Sequence, residues 1–320
     1  MKTAVISFTD RGNSLNEEIS VKLEADSYKS AIEVQSLTER IFNKYDAVIF
    51  IGAAGIAVRA VAPNIKSKGT DPAVVVCDEA GKFAIPILSG HIGGANSLAE
   101  KLAGLVNAIP VITTATDING IWAADSWAAK NKMHIENINM IKNISSALLK
   151  NERIGIDCDF EIIGRLPNNV GFERQKNGIV VSPFIKAPFE NTLNIVPKCI
   201  CLGVGSKKNA DPYSLIELFK TLDISRQAVD SIATIDIKMD EPAIKSLKDY
   251  LNVPLFIYSS DELNSITGDF SSSELVKKVT GTNNVCERSA VLTGGKLIIK
   301  KQKGNGVTMA ASMKNVEISF

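Results

Sequence analysis

Three observations on this 320-residue sequence predict an α/β fold, with an open, mostly parallel sheet in an N-terminal domain, a small middle domain and a C-terminal α/β domain. Over residues 1–125, short apolar runs alternate with segments whose apolar residues recur at helical spacing. From 126 to 197 that rhythm weakens, Asn residues are frequent, and two loops carry proline ("GRLPNN" and "IKAPFENT"). From 198 to 320 the strand–helix rhythm resumes. A chain of this length exceeds what one hydrophobic core usually organises, so domain boundaries near 125 and 197 are expected.

Taken in order, "KTAVISF" reads as a buried strand, and "NSLNEEIS" starts a helix with Ser14 and Glu17 at capping-box spacing. "SLTERIFNKY" places Leu37, Ile41, Phe42 and Tyr45 on one helical face, and "DAVIFIG" is a buried strand ending in glycine. "AAGIAVRAVAP" is a helix stopped by Pro63. "PAVVVCD" and "FAIPIL", joined by the turn "DEAGK", read as a hairpin. "GGANSLAEKLAGLVNA" is a helix with Leu98, Leu102 and Leu105 inward, and "PVITTATD" is a further strand running into a polar turn. In the middle, "IGIDCDF" and "GIVVSPF" are short strands. The last third reads as strand "KCICLGVGSKK", then helix "DPYSLIELFKTLD" with Asp211 as N-cap and Pro212 in the first turn. Strand "SIATIDI", helix "DEPAIKSLKDYL", strand "PLFIYS", helix "SSELVKKVTG" and strand "KLIIKKQK" follow.

Composition excludes several classes. The net charge of +1 gives no overall pull toward nucleic acid or a membrane. The longest uncharged apolar run, Ala47 to Val58, is shorter than the about 20 residues of a bilayer span. The N-terminal "MKTAVISFTDRG" turns polar at once, unlike a signal peptide, so a cytoplasmic protein is expected. Five scattered cysteines read as reduced, mostly buried thiols. Cys199 and Cys201 have the wrong spacing for a zinc knuckle, and if strand-borne they face one way into the core. No metal site is expected.

Ligands of open α/β sheets collect beyond the carboxyl ends of the strands. Four segments carry glycine or polar residues at such positions: "IGAAGIAVRAVAP", "LSGHIGGAN", "TTATDINGI" and "LGVGSKKN". None is a Walker loop or a dinucleotide fingerprint, which argues against nucleotide binding, and tight packing explains a Gly-x-Gly equally well. His91, one of two histidines, stands among glycines, so it does not fill an apolar face. Acid–base chemistry and hydrogen bonding that ties down the loop both fit it. Asp117 and Asn119 are plausible neighbours, able to orient it or bind substrate. Ser89, Gly90, Gly93, Gly94, Asn96 and Thr114 complete this candidate set. Arg59 suits a carboxylate fork or a structural ion pair, while Lys66 and Lys68 are either substrate cations or solvated surface. Strand alternation would place Thr234, Asp236 and Lys238 on one face, lining a cleft or a solvated edge. His134, beside Met133 and Ile135, reads as structural.

The combination "GIAVRAVAP…TDPAVVVCDEAGKFAIPILSGHIGGANSLAEKLA…PVITTATDINGIWAAD" resembles the CbiG family, the cobalt-precorrin-5A hydrolases of cobalamin biosynthesis. "GVGSKKN", "ATIDIKMDEP" and "KGNGVTMA" are similar to the family's C-terminal pattern. Ser206 and Lys207 depart from it, since the family usually has Cys-Arg there; the charge is kept, but the thiol and the bidentate fork are lost. The resemblance implies opening of the δ-lactone of cobalt-precorrin-5A by water, with loss of acetaldehyde to give cobalt-precorrin-5B. It implies a carboxylate-rich cobalt-corrin substrate, whose acid arms Arg59 and Lys66 are expected to meet. The resemblance carries over no catalytic residue; His91 as acid–base with Asp117 beside it is expected from their setting in the sequence. No cofactor is implied, because cobalt arrives within the substrate, and neighbouring cobalamin-pathway enzymes are the macromolecular partners to expect. The C-terminal part resembles a small stand-alone protein of the aerobic route, which leaves a non-catalytic corrinoid carrier as the alternative.

Overall fold

The computed structural model describes residues 1–29, 33–67 and 69–320, with every side chain among them except that of Leu275. The chain forms two compact units, Met1–Asn131 with Leu148–Asn151, and Lys132–Ala147 with Glu152–Phe320. Among the described residues no helix is long and apolar enough to cross a membrane.

The first unit runs β1 (Thr3–Ser7), α1 (Asp10–Leu23), β2 (Asp26–Tyr28), α2 (Val34–Ile41), β3 (Ala47–Ile51) and α3 (Ala54–Val61). It continues with β4 (Ala73–Cys77), β5 (Phe83–Leu88), α4 (Ala95–Val106), β6 (Ile109–Pro110), α5 (Ala115–Ile118) and α6 (Ala124–Lys130). The sheet order is β2-β1-β3-β4-β5-β6. Its first four strands are parallel, β5 runs against β4, and β6 runs with β5. Every residue of β1, β3 and β4 is buried, because both sheet faces are covered. Alternation sorts them: Ile49 and Ile51 pack with Ile19 of α1 and Leu102 of α4, while Val48 and Phe50 pack with Ile41 of α2 and Ala57 of α3. Each such large side chain contributes roughly 1.5–3 kcal/mol of transfer free energy.

The second unit holds β7 (His134–Ile135), most of α7 (Ile141–Leu149), β8 (Ile154–Cys158), β9 (Glu161–Ile163), β10 (Val170–Gly171), β11 (Asn177–Val181) and β12 (Asn191–Val196). Then come β13 (Ile200–Ser206), α8 (Ser214–Lys220), β14 (Val229–Ile235), α9 (Pro242–Leu251), β15 (Leu255–Tyr258) and α10 (Ser260–Ser265). The chain ends with α11 (Glu274–Thr280), α12 (Cys286–Gly294), β16 (Lys296–Lys303), β17 (Val307–Met313) and β18 (Glu317–Ser319). The segment read as a middle domain builds a five-stranded sheet, β10-β8-β11-β12-β7, antiparallel only at β7. The last third builds another, β15-β14-β13-β17-β16, with β13–β15 parallel and β16 and β17 antiparallel. Parallel pairing of β18 with β9 ties the C-terminal strand to the middle segment. All five cysteines are reduced, four of them buried. Burial pushes the Cys77 and Cys199 thiols up to about 12, so they are inert at neutral pH.

Several local expectations are corrected. Thr9, not Ser14, caps α1, its Oγ1 accepting from Gly12 N, and Ser14 lies inside the helix bonded to Asp10 O. Of "PVITTATD" only Pro110 lies in β6, paired with the preceding Ile109; Pro110 has no N–H for the ladder, and Ala115–Ile118 turn helical. Asp211 precedes its helix, accepting from Tyr213 N in an Asx turn. Leu105 is half-buried. β14 stops at Ile235 and Asp236–Lys238 form a 3-10 turn, so Thr234, Asp236 and Lys238 do not share a strand face.

The "GVG" glycines serve packing. A Cβ on Gly203 would lie 1.8 Å from Cys286 O and 2.6 Å from Ala290 N, where α12 crosses β13. Gly203→Ala is therefore expected to lower unfolding stability by about 3 kcal/mol through overpacking. Gly104→Ala, in α4 with nothing within 4 Å, is expected to raise it by about 0.5–1 kcal/mol. Denaturant titration of the two variants checks both signs.

Candidate active site

The reversal of β5 decides where the site forms. Leu88, at the end of β5, pairs with Val74 near the start of β4, so the loop after β5 leaves the sheet at the amino edge of β1, β3 and β4. The "GAAG" turn after β3 leaves at the opposite edge, beside Cys77, whose carbonyl accepts from Gly52 N. The two glycine-rich segments thus do not share one mouth of the sheet. At the amino edge, Ser89 Oγ donates to Asp71 O at 3.0 Å, and Asp71 receives Lys66 N on both carboxylate oxygens.

The loop is held by its own backbone. The carbonyls of Ser89, Gly90 and His91 accept from the amides of Ala95, Asn96 and Gly94 at 3.1, 3.0 and 3.0 Å. Ser89 takes φ +57 and Gly94, which caps α4, takes φ +81. At Gly93 a Cβ would lie 2.4 Å from Ser89 Cβ, and at Gly90 one would lie 2.8 Å from Asn96 Oδ1. Only glycine permits this closure. Among the described residues the amides of Gly90, His91, Ile92 and Gly93 have no acceptor, and residues 89–94 are all half-buried.

Closure aims His91 at two carboxylates. Its Nε2 lies 2.9 Å from Asp117 Oδ2, and its Nδ1 lies 3.2 Å from Asp125 Oδ2. Asp125, at the start of α6, is buried, whereas the Asp117 side chain is 40% exposed. Asn96, buried at the start of α4, donates to Asp117 Oδ2 at 2.8 Å and to Thr114 Oγ1 at 3.1 Å, fixing the outer carboxylate. The hydrogen bond to Asp125 is the largest influence on His91. With that to Asp117 it outweighs burial and raises the imidazole from 6.5 to about 9. The ring is an imidazolium at neutral pH, and both nitrogens donate.

The structure therefore brings together His91, Asp117, Asn96, Thr114, Ser89 and the glycines, and adds Asp125. Asp125 was legible only as an acid favoured at a helix start. The other candidates lie elsewhere. Asn119 is exposed, and its Nδ2 donates to Ala115 O in its own helix. The amide of Gly94 is used within the loop and is no donor to a ligand. Arg59 is exposed in the last turn of α3, near Gly55 O, with no carboxylate partner among the described residues, so the ion-pair alternative finds no support. Lys66 is exposed, and Lys68 lies outside the described residues. In the second unit Thr234 is fully buried, with Oγ1 donating to Val204 O. Asp236 accepts from Ile237 N, and Lys238 pairs with Glu241 at 3.3 Å. His134 lies on the surface, 4.0 Å from Glu136.

Fold and site together define a two-unit α/β protein with an imidazolium centre on a glycine loop. Residues 36–117 match the family model Cobalamin synthesis G N-terminal, and residues 200–312 match Cobalamin synthesis G C-terminus. The chain is 32% identical over 292 residues to the cobalt-precorrin-5A hydrolase of Salmonella typhimurium, covering 84% of this chain and 82% of that protein. It is 30% identical over 307 residues to the cobalt-precorrin-5A hydrolase of Priestia megaterium, covering 88% and 82%. A cobalamin biosynthesis protein G homolog from Sulfolobus solfataricus, known from its crystal structure, is 26% identical with TM-score 0.44, covering 98% of this chain and 97% of that one. The chain belongs to the cobalamin synthesis G family of cobalt-precorrin-5A hydrolases.

The raised imidazole makes stability depend on pH. Its contribution, on the order of 3 kcal/mol, is full below about pH 6.5 and is lost as pH rises through about 9. Unfolding titrations are expected to show this loss in the native chain and a flatter profile in His91→Gln over the same window.

Proposed function

We propose that this chain is a cobalt-precorrin-5A hydrolase, adding water across the δ-lactone of its cobalt-corrin substrate and releasing acetaldehyde to leave cobalt-precorrin-5B. The observation that carries this reading is His91 held as an imidazolium between Asp117 and Asp125, in a half-buried loop with four amides unengaged among the described residues. The cobalt belongs to the substrate.

Lactone opening requires a directed water, a place for the oxyanion, and a proton for the departing alkoxide. His91, carrying two N–H groups at neutral pH, is the acid. Asp117 supplies the base: its Oδ2 is engaged by His91 and Asn96, while Oδ1 has no partner among the described residues and can take a proton from water. The amides of Gly90, His91, Ile92 and Gly93 are the candidate donors to the oxyanion. Water forms the new bond to the acyl carbon, the ring oxygen leaves, and His91 protonates it. In the second step the freed hydroxyl gives up its proton to His91, neutral after the first step, and its oxygen becomes the aldehyde carbonyl. The carbon–carbon bond then breaks with its electron pair passing into the macrocycle. Asp125 is a positioning residue, holding Nδ1 and keeping the ring charged. Arg59 and Lys66, unpaired among the described residues, are the cations offered to substrate carboxylates in this unit.

Incubation of the purified chain with cobalt-precorrin-5A is expected to release acetaldehyde stoichiometrically; binding without release would make it a carrier instead. His91→Ala is expected to lower kcat by about 100-fold or more. In the native chain kcat is expected to fall as pH rises through about 9, when the acid loses its proton. In Asp125→Asn that descending limb is expected to move toward 6.5, because the largest influence raising the imidazole is gone. An unmoved limb would remove His91 from the acid role.

A further inference from the structure

The second unit contains a cavity of about 390 Å³ that the hydrolytic centre does not use. Val276 and Val279 of α11, with Val285 and Cys286 at the start of α12, form its apolar side. Val279 is 62% exposed, so the apolar side of the cavity reaches solvent. Cys286 is buried and its thiol is pushed up to about 11, so this wall stays uncharged. Lys207 and Lys208 after β13, Lys238 after β14 and Lys301 on β16 also line the cavity. Lys238 is paired with Glu241. The ammonium groups of Lys207, Lys208 and Lys301 have no carboxylate partner among the described residues. Ser206 and Lys207, the two positions that depart from the family's Cys-Arg pattern, both line it.

An apolar hollow rimmed by three unpaired lysines selects a ligand that is flat and apolar in the middle and anionic at its edge. A simple oxyanion would leave the valines in water, and a neutral apolar ligand would leave the ammonium groups unanswered. The volume lies at the low end for small-ligand pockets, which suits one edge of a large macrocycle. We propose that this cavity is a second corrinoid-binding site, seating a carboxylate-bearing edge of a cobalt corrin independently of His91. The inference rests on the reading that the chain's substrate is a cobalt corrin, and adds that the last third grips that class of ring by its own cationic rim.

The probe is a cobalt corrin heptacarboxylic acid, followed by its visible absorption on titration into the full chain. Saturable binding that weakens with added salt is expected, and the same ring with its carboxylates amidated is expected to bind at least tenfold more weakly. The doubly substituted K208E/K301E chain and, separately, Val279→Asp are each expected to bind at least tenfold more weakly while unfolding like the native chain. Equal binding of the acid and amide corrins, equal binding of a linear polycarboxylate, or undiminished binding by both cavity variants would overturn the proposal. If the native chain binds the corrin acid but releases no acetaldehyde from cobalt-precorrin-5A, the hydrolase reading fails and this one stands.

Discussion

A protonated imidazole inside a half-buried loop is costly unless it is answered on both nitrogens, and the first unit's amino-edge architecture is organised around answering it. Asp125 meets Nδ1 from the buried side and Asp117 meets Nε2 from the exposed side. Asn96 then occupies the hydrogen-bonding capacity of Asp117 that would otherwise let the carboxylate swing. Asn96 in turn stands where it does because Gly90 has no Cβ, and because Gly94, the residue that caps α4, takes a positive φ. Each glycine of the loop thus acts through the imidazole's position.

Topology gives that arrangement its place. A parallel α/β sheet gathers its loops at the carboxyl edge. Here the hairpin of β4 and β5 reverses the last two strands, and the carboxyl end of β5 comes out at the amino edge of the others. The turns around Thr9, Gly52 and Asp78 are left at the far edge, where Thr9 Oγ1 bonds Glu79 in a structural contact. The short β6 serves the same end: pairing stops after Pro110, and the chain is free to turn into α5 and present Asp117.

Strands such as β3 and β4 were legible because buried runs like "AVIFI" and "AVVVC" leave few alternatives, and the hairpin followed from the turn "DEAGK" between two apolar runs, whereas β12 and β17 were not among the expected strands. His91 and Asp117 were legible because a rare imidazole among glycines and an acid in the next turn are chemically conspicuous. Asp125 was not, since an acid at a helix start has a sufficient explanation in the helix dipole. The alternation that grouped Thr234 with Asp236 and Lys238 failed because it presumes the strand continues. The chain turns after Ile235, burying the hydroxyl of Thr234 against Val204 O. Period-two reasoning cannot see where a strand ends.

The charges also divide the labour between recognition and chemistry. One imidazolium between two carboxylates leaves the candidate centre with a net charge of about −1, so the polycarboxylate ring of the proposed reaction gains nothing electrostatically by approaching it. Attraction must come from cations that are not already paired; on the two proposals these are Arg59 and Lys66 in the first unit and Lys207, Lys208 and Lys301 in the second. Those groups are mostly exposed and screened by salt, whereas the contact of His91 with Asp125 is buried and screened far less. Salt should therefore act on the encounter with substrate and leave the proton inventory of the centre intact. That separation is what the proposed reaction needs, since its acid must stay charged while the proposed substrate carries the same sign as the carboxylates beside that acid.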